Sequence, residues 1–333
     1  MARFDRRRIY PEPDRLATVA ALFAIVPIRV NGVIKQRGRV KQFRSVNRIM
    51  QFMGGGSQWV LPFTRFNRGG TSKSFGRTTF SRTALDLFET FPNALTAQEK
   101  QAIGAFVDLE SLSGNYQLMD SFASFRLYDE ANALWDWKQL KSMTAIDNPT
   151  HIPGNGFDLN GTSQYIQTNL NPTTDVTNFT LDDAMAGVEM LDVYPRLVDA
   201  NFRTLFHLRV GNPGISLRFR SGSMFPNMND SHGASLFTNL PHPVGKYIVS
   251  RPNSTDNQIY YNGVLIDNNT GIFTSSAIPD GIIMVGARNE SEVYSEFFEG
   301  KVGNFILGSN NTFIHPLYNR NLNVFNGLLT QTL

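Results

Sequence analysis

The fold is decided by one stretch of sequence, which reads Gly156-Phe157-Asp158-Leu159-Asn160-Gly161-Thr162-Ser163-Gln164-Tyr165-Ile166-Gln167-Thr168. Its apolar residues, Phe157 and Leu159 before the centre and Tyr165 and Ile166 after it, flank a polar tip. An apolar run, an Asn-Gly tip and a second apolar run in this order predict a β-hairpin. A hairpin is stable only when it packs on further strands, so the rest of the chain must supply a sheet.

The sequence after residue 245 contains strands for such a sheet. Residues 246–251, 258–266, 282–286 and 298–307 are rich in the β-branched and aromatic residues that strands favour. The second of these segments has Asn262-Gly263 between two apolar runs, which predicts a tight hairpin turn. The second half of the chain is therefore predicted to be a β-structure.

Two segments further upstream alternate between apolar and polar residues. They are residues 204–210 and 215–220. In the second segment, Ile215, Leu217 and Phe219 share one face, and the opposite face carries Ser216, Arg218 and Arg220. Alternation of this kind predicts an antiparallel sheet with one face on the core and the other face in water.

The segment before the β-structure has helical signals. Thr96-Ala97-Gln98-Glu99 is a capping box, and the helix that it begins is expected to end at Gly114. A second helix is predicted from Tyr116 to Phe125, and Trp135 and Trp137 are expected to pack this helical unit onto the strands that follow.

Charge is distributed unevenly along the 333 residues. From Met1 to Thr90 there are 17 Lys and Arg against 5 Asp and Glu, a balance of +12, and the remainder has 14 against 23, a balance of −9. Glycine-rich breaks at residues 54–57 and 68–72 and scattered aromatic residues make a poor independent core. We therefore expect residues 1–90 to be a basic, partly extended arm that becomes ordered in an assembly. Binding of nucleic acid by this arm is an alternative.

Composition excludes several classes of protein. The chain has no cysteine, so it has no disulfide framework, no thiolate metal site and no cysteine nucleophile. Its longest apolar run, residues 16–30, is interrupted by Pro27 and Arg29 and is shorter than the roughly 20 residues of a membrane span. We therefore expect neither a membrane span nor a signal peptide.

Four segments in their order along the chain resemble the laminin-G-like, concanavalin A-like lectin sandwich. They are the 156–168 stretch, YYNGVLI at 260–266, VGAR at 285–288 and FFEGKVGNFIL at 297–307. From about Phe106 to Leu333 the chain also resembles virion proteins of tailed bacteriophages. The matching residues are Ala133, Leu134, Trp137, Lys138, Pro149, Thr150, Gly156, Phe157, Asn160, Gly161, Ser163, Tyr165, Thr168, Asn171 and Pro172. The resemblance departs at Asp158-Leu159 and at His151, where the family more often has an aromatic residue.

These resemblances imply a mainly β fold, an antiparallel concanavalin A-like jelly-roll sandwich. The expected domains are a virion-anchoring arm (1–90), a helical connector (91–153) and the sandwich (154–333). The implied function is that of a bacteriophage virion structural protein, in the tail or on the particle surface. Its lectin-like domain would adhere to a host-surface glycan or decorate the particle. Made in the host cytoplasm, the chain would form a homo-oligomer and contact other virion proteins through residues 1–90.

Ligand-binding residues are expected where such sandwiches expose their loops. Residues 221–229 contain Gly, Pro and Asn and are predicted to form a long loop. The candidate ligand-binding residues lie in this loop, just after it and on the VGAR strand. They are Asn227, Asn229, Asp230, His232 and Arg288.

No recognisable catalytic motif is present in the sequence. Sandwich glycoside hydrolases use carboxylates spaced Glu-x-Asp-x-Glu, whereas the acidic cluster from Glu290 to Glu299 lacks this motif, and Glu290 and Glu292 are expected in a solvated loop. Asp230-Ser231-His232 is adjacent in sequence, which does not make a catalytic triad. We expect that the chain is not an enzyme and that it binds no cofactor. A polysaccharide-degrading enzyme on the same fold, and calcium at Asp182-Asp183 or at Asp267-Asn268-Asn269, are the alternatives.

Overall fold

The computed structural model describes residues 80–193, 202–209, 213–220, 223–230, 244–270, 277–291, 293–311 and 313–330. The chain divides into two units, residues 1–79 and 80–333, and all described residues belong to the second. The predictions for residues 1–79 therefore lie outside the described residues. In the described part, no helix is long and apolar enough to cross a membrane.

The second unit is made of strands with a few helices. The strands are β1 (Met119–Ser124), β2 (Trp135–Asp136), β3 (Lys141–Ser142), β4 (Thr144–Ile146), β5 (Thr150–Ile152), β6 (Gly156–Asn160), β7 (Tyr165–Gln167), β8 (Ala184–Val193), β9 (Arg203–Arg209), β10 (Gly214–Arg220), β11 (Ser223–Asp230), β12 (Gly245–Arg251), β13 (Asp256–Tyr261), β14 (Val264–Thr270), β15 (Met284–Val285), β16 (Arg288–Glu290), β17 (Val293–Ser295) and β18 (Glu299–Gly308). The helices are α1 (Arg82–Phe88), α2 (Ala97–Ser113), α3 (Asn115–Leu118), α4 (Glu130–Ala133) and α5 (His315–Thr330).

Two eight-stranded sheets face each other across a shared core. The first sheet has the order β14-β13-β12-β8-β18-β6-β5, and β1 also pairs with β18. The second sheet has the order β11-β10-β9-β15-β7-β4, with β16 paired to β9 and β17 paired to β16. All pairs are antiparallel except a single parallel contact between β16 and β9. The predicted antiparallel β-sandwich is confirmed.

The stretch that decides the fold is an arch between the two sheets, so the predicted hairpin is wrong. Strand β6 pairs with β18 of the first sheet, whereas β7 pairs with β15 and β4 of the second. In the turn, Asn160 Oδ1 accepts from the backbone N–H of Thr162 at 2.9 Å and of Ser163 at 3.1 Å. Phe157 and Ile166 enter the same core from opposite sheets, which gives the apolar pattern of a hairpin.

Glycine is required where β6 approaches β18. Gly156 has φ +79°, and a Cβ at this position would lie 2.0 Å from the carbonyl oxygen of Val302. A side chain would therefore push the two strands apart. At the other end of the sheet, the predicted Asn262-Gly263 hairpin turn between β13 and β14 is confirmed, with positive φ at both residues.

The predicted second helix is wrong beyond Leu118. Residues Met119–Ser124 form β1, which pairs with β18, and every side chain of this strand is buried. Because both faces of β1 are covered, the strand lacks the alternation that would distinguish it from a helix. The first predicted helix is confirmed as α2, with its capping box of Thr96 and Glu99 and with Gly114 in a left-handed conformation at its end.

Residues 91–153 are more than a helical connector. They include α2, α3 and α4, and they also supply β1 and β5 to the first sheet and β4 to the second. Trp137 is 2% exposed and packs against Phe106, Phe122 and Phe325, which joins α2 and α5 to the sandwich. The domain boundaries at 90 and 153 stay a prediction. Strands on both sides of residue 153 pair within the same sheets.

Candidate functional site

The outer face of the second sheet carries a polar surface. On β10, Ile215, Leu217 and Phe219 are buried in the core, as predicted, and Ser216, Arg218 and Arg220 alternate with them. The prediction that this second face lies in water is wrong for Ser216 and Arg218, which are 2% and 8% exposed. Arg220 is exposed.

Three arginines and two glutamates form a continuous set of ion pairs on this face, and a fourth arginine, Arg220, shares the Phe202 ring with Arg218. Arg288 donates from Nη1 to Glu296 Oε1 at 2.6 Å and from Nη2 to Glu290 Oε2. The second oxygen of Glu296 lies 3.6 Å from Arg218 Nη1, and the second oxygen of Glu290 lies 3.8 Å from Arg209 Nη1. We call the set the arginine ladder. Its members are Arg209, Arg218, Arg220, Arg288, Glu290 and Glu296.

The arginine ladder is elongated along the strands. Arg209 is the last residue of β9 and pairs with Gly214, the first residue of β10, whereas Arg220 ends β10. Six residues of extended strand separate these two ends, a length of about 20 Å. At the Arg220 end, the guanidinium carbons of Arg218 and Arg220 lie 4.7 and 4.9 Å from the centre of the Phe202 ring.

The local charge of the ladder is opposite to that of the domain around it. Residues 154–333 contain ten Lys and Arg against fifteen Asp and Glu, and the ladder has four Arg against two Glu. Four of the ten basic residues therefore line one face of one sheet. A positive surface on an acidic domain favours the approach of anionic ligands.

His207 adds no charge to this surface. It lies on β9, is 2% exposed, and its Nδ1 is 2.8 Å from the carbonyl oxygen of Asn289. Burial, together with the nearby Arg218, lowers the pKa of His207 to about 3. The imidazole is therefore neutral at pH 7, and the ladder's charge comes from its guanidinium and carboxylate groups.

The structure does not bring the predicted ligand-binding residues together. Arg288 belongs to the ladder. Asn227 is 4% exposed and its side chain lies beside Gly214, whose added Cβ would be 3.1 Å from Asn227 Nδ2. Asn229 is buried with φ 56°, and its Nδ2 donates to the carbonyl oxygens of Thr180 and Leu181, at 3.1 Å each.

The other two candidates are the last residue of β11 and a residue outside the described ranges. Asp230 ends β11, where its backbone pairs with Gly214, and His232 lies outside the described residues. The long loop predicted from Ser221 to Asn229 is wrong, because residues 223–230 form β11. This strand is at the edge of its sheet, where Pro226 is tolerated.

Sequence reasoning missed most of the ladder. The alternation of β10 placed Arg218 and Arg220 on one face, but no local signal places Glu296 of the β17–β18 connection beside them. Glu290 was expected in a loop, yet it lies on β16 and its side chain is 40% exposed. Glu292 lies outside the described residues.

The acidic residues considered for calcium make other contacts. Asp183 Oδ1 accepts from the backbone N–H of Asn310 at 2.8 Å and of Asn311 at 2.7 Å. Asp267 lies on β14 rather than in the expected hairpin loop. Within the described residues, no group of three or more His, Asp or Glu side chains is arranged to hold a metal ion.

Comparison with known proteins gives structural neighbours but no family. No family model and no curated protein matches the chain. The botulinum neurotoxin serotype D ligand-binding domain in complex with N-acetylneuraminic acid is similar at 17% identity, covering 64% of this chain and 52% of that one, with a TM-score of 0.46. The botulinum neurotoxin serotype G binding domain is similar at 14% identity, covering 60% and 50%, with a TM-score of 0.43. The chain thus spans about half the length of these domains.

The two packed antiparallel sheets define the fold class of this protein, which is an antiparallel jelly-roll β-sandwich. At such low identity, the neighbours assign no ligand to the chain.

Proposed function

We propose that this chain is a structural protein of a tailed-bacteriophage virion whose β-sandwich binds a glycan on the host surface. The observation that carries the binding role is the arginine ladder, a positive surface with an aromatic ring at one end on an otherwise acidic sandwich. The virion role is supported by the resemblance of residues 106–333 to phage virion proteins and by the +12 balance of residues 1–90.

The two parts have separate roles in this proposal. The basic arm contacts other virion proteins and holds copies of the chain in a symmetric assembly. The sandwich is then displayed on the particle, where many weak binding sites act together. Multivalent display allows a shallow site on a sheet face to adhere to a cell surface.

Proteomics of gradient-purified particles tests the virion role. Peptides from both the arm and the sandwich should be recovered with the particles. A phage whose gene lacks the codons for residues 1–79 should produce particles without the truncated chain, which should instead remain in the lysate. Absence of the full-length chain from infectious particles would contradict the proposal.

Glycan binding is tested with the full chain on an array of host-surface saccharides. Binding without release of reducing ends supports an adhesion module. Release of reducing ends would favour the alternative, a polysaccharide-degrading enzyme, and an array without any bound saccharide would contradict glycan binding.

A further inference from the structure

Resting on the proposed glycan-binding function, we infer that the ligand is an extended, carboxylate-bearing polysaccharide that lies along the arginine ladder. The inference depends on three properties of the ladder: the groups that its guanidinium ions already bind, its length and its access to solvent.

The guanidinium groups of the ladder already pair with carboxylates, those of Glu290 and Glu296. A guanidinium ion presents parallel N–H donors that match the two oxygens of a carboxylate. The carboxylate of Glu290 lies between Arg288 and Arg209 and is 40% exposed, the most exposed group in these ion pairs. It occupies the place that a ligand carboxylate would take, 3.8 Å from Arg209.

The geometry favours a chain of sugars over a single sugar. Arg209 and Arg220 lie about 20 Å apart along the strands, with Arg288 and Arg218 between them. Regularly spaced carboxylates on a linear saccharide can meet these guanidinium groups in turn. The ring of Phe202, contacted by two guanidinium groups, adds an apolar surface at one end on which a sugar face can stack.

The arginines of the ladder differ in exposure and in position. Arg218 is 8% exposed and is held by Glu296, which also accepts from Thr204 Oγ1 at 3.3 Å. Arg220 is exposed, and the side chain of Arg209 is 25% exposed. Arg288 is 22% exposed, and its side chain is fixed because it donates to both Glu296 and Glu290. Arg209 and Arg220, at the two ends of the ladder, are therefore the residues that contact the polysaccharide, while Arg218 and Arg288 fix its position.

Calorimetric titration of the full chain with galacturonic acid oligomers tests the inference. The fully methyl-esterified oligomers are the matched ligand, because they have the same sugar chain without its charge. The variants are Arg209→Gln, Arg220→Gln and Glu290→Gln. Lys301→Gln is the control, since it also removes one positive charge and one ion pair, the pair with Asp192 at 3.1 Å, on the other sheet.

We expect the acidic oligomer to bind more tightly than its ester, and a long oligomer to bind more tightly than the monomer. Arg209→Gln and Arg220→Gln should each weaken binding about ten-fold, the loss that goes with one charge-assisted contact. Glu290→Gln should strengthen binding several-fold, because it removes the internal competitor, and Lys301→Gln should bind like the unmodified chain. Circular dichroism of each variant verifies that it is folded.

Several outcomes would overturn the inference. Equal binding of the ester would leave the proposed glycan function in place but remove the role of carboxylates. Binding that is unchanged by Arg209→Gln and Arg220→Gln would place the ligand on the basic arm or elsewhere. Tighter binding of a DNA oligonucleotide with the same dependence on Arg209, or salt-sensitive self-association lost in Arg209→Gln, would assign the ladder to a different partner.

Discussion

Replacing Phe157 with alanine tests the arch between the sheets. Phe157 is fully buried on β6, and its ring centre lies 5.9 Å from that of Phe125 at an angle of 78°, and 4.9 Å from that of His151. These neighbours have little freedom to fill the space, because His151 Nε2 lies 3.0 Å from the carbonyl oxygen of Leu127. The substitution should therefore leave a cavity.

The expected loss in unfolding free energy is about 4 kcal/mol. Emptying a buried phenylalanine position costs about 3–5 kcal/mol. The edge-to-face contact with Phe125 contributes about 0.5–1.5 kcal/mol of such a loss, and the poor relaxation of the site argues against the lower end of the range. A loss of this size is a large part of the about 5–15 kcal/mol that stabilises a typical domain.

Urea denaturation of the full chain, followed by tryptophan fluorescence, measures this loss. Leu112→Ala is the control, since Leu112 lies on α2 and is 56% exposed, and its replacement should change stability by less than about 0.5 kcal/mol. A loss below about 1 kcal/mol for Phe157→Ala would refute the buried position of Phe157 and with it the arch.

Three further substitutions test other parts of the structure. Gly263→Ala should destabilise the chain by about 1–3 kcal/mol in thermal denaturation, because Gly263 has φ +79° and a Cβ there would lie 2.8 Å from the His315 carbonyl oxygen; an unchanged melting temperature would contradict this turn. Asp120→Asn should cost about 1–3 kcal/mol in urea denaturation, since the Asp120 carboxylate accepts from the backbone N–H groups of Thr177, Asn178 and Phe179, and an amide nitrogen cannot accept; a neutral effect would mean that these contacts are absent. Burial raises the pKa of Glu110 from 4.5 to about 7, so folding is favoured by the protonated form and the unfolding free energy should fall as pH rises from 4.5 through 7. The Glu110→Gln side chain cannot ionise, so the decrease in unfolding free energy over this pH range should be smaller in the variant by up to about 3 kcal/mol. The same pH dependence in the variant and the unmodified chain would rule out a buried, protonated Glu110.

Features fixed by neighbouring residues could be predicted from the sequence. The capping box of Thr96 and Glu99 and the Asn262-Gly263 turn depend on contacts within a few residues, and both are present. Helix α5 carries a local signal of the same kind, because its apolar residues repeat at helical spacing.

Features that depend on distant partners could not be predicted. The 156–168 stretch has the same apolar pattern whether its strands pair with each other or cross the core. The choice is made by β18 and β15, more than 100 residues further along the chain. The same holds for the ladder, since pairing of β16 with β9 brings Glu290 and Arg288 to Arg209. The alternation of apolar and polar residues in β10 predicts the face on which Arg218 lies, but it does not predict the pairing of Arg218 with Glu296.

Hydrogen exchange of the full chain, with and without a galacturonic acid oligomer, tests most directly that the sandwich binds a glycan along the arginine ladder. The account predicts added protection of the backbone in β9, β10 and the β16–β17 hairpin, and none in the β13–β14 hairpin of the other sheet. Protection limited to residues before 80, or located on the first sheet, would contradict it.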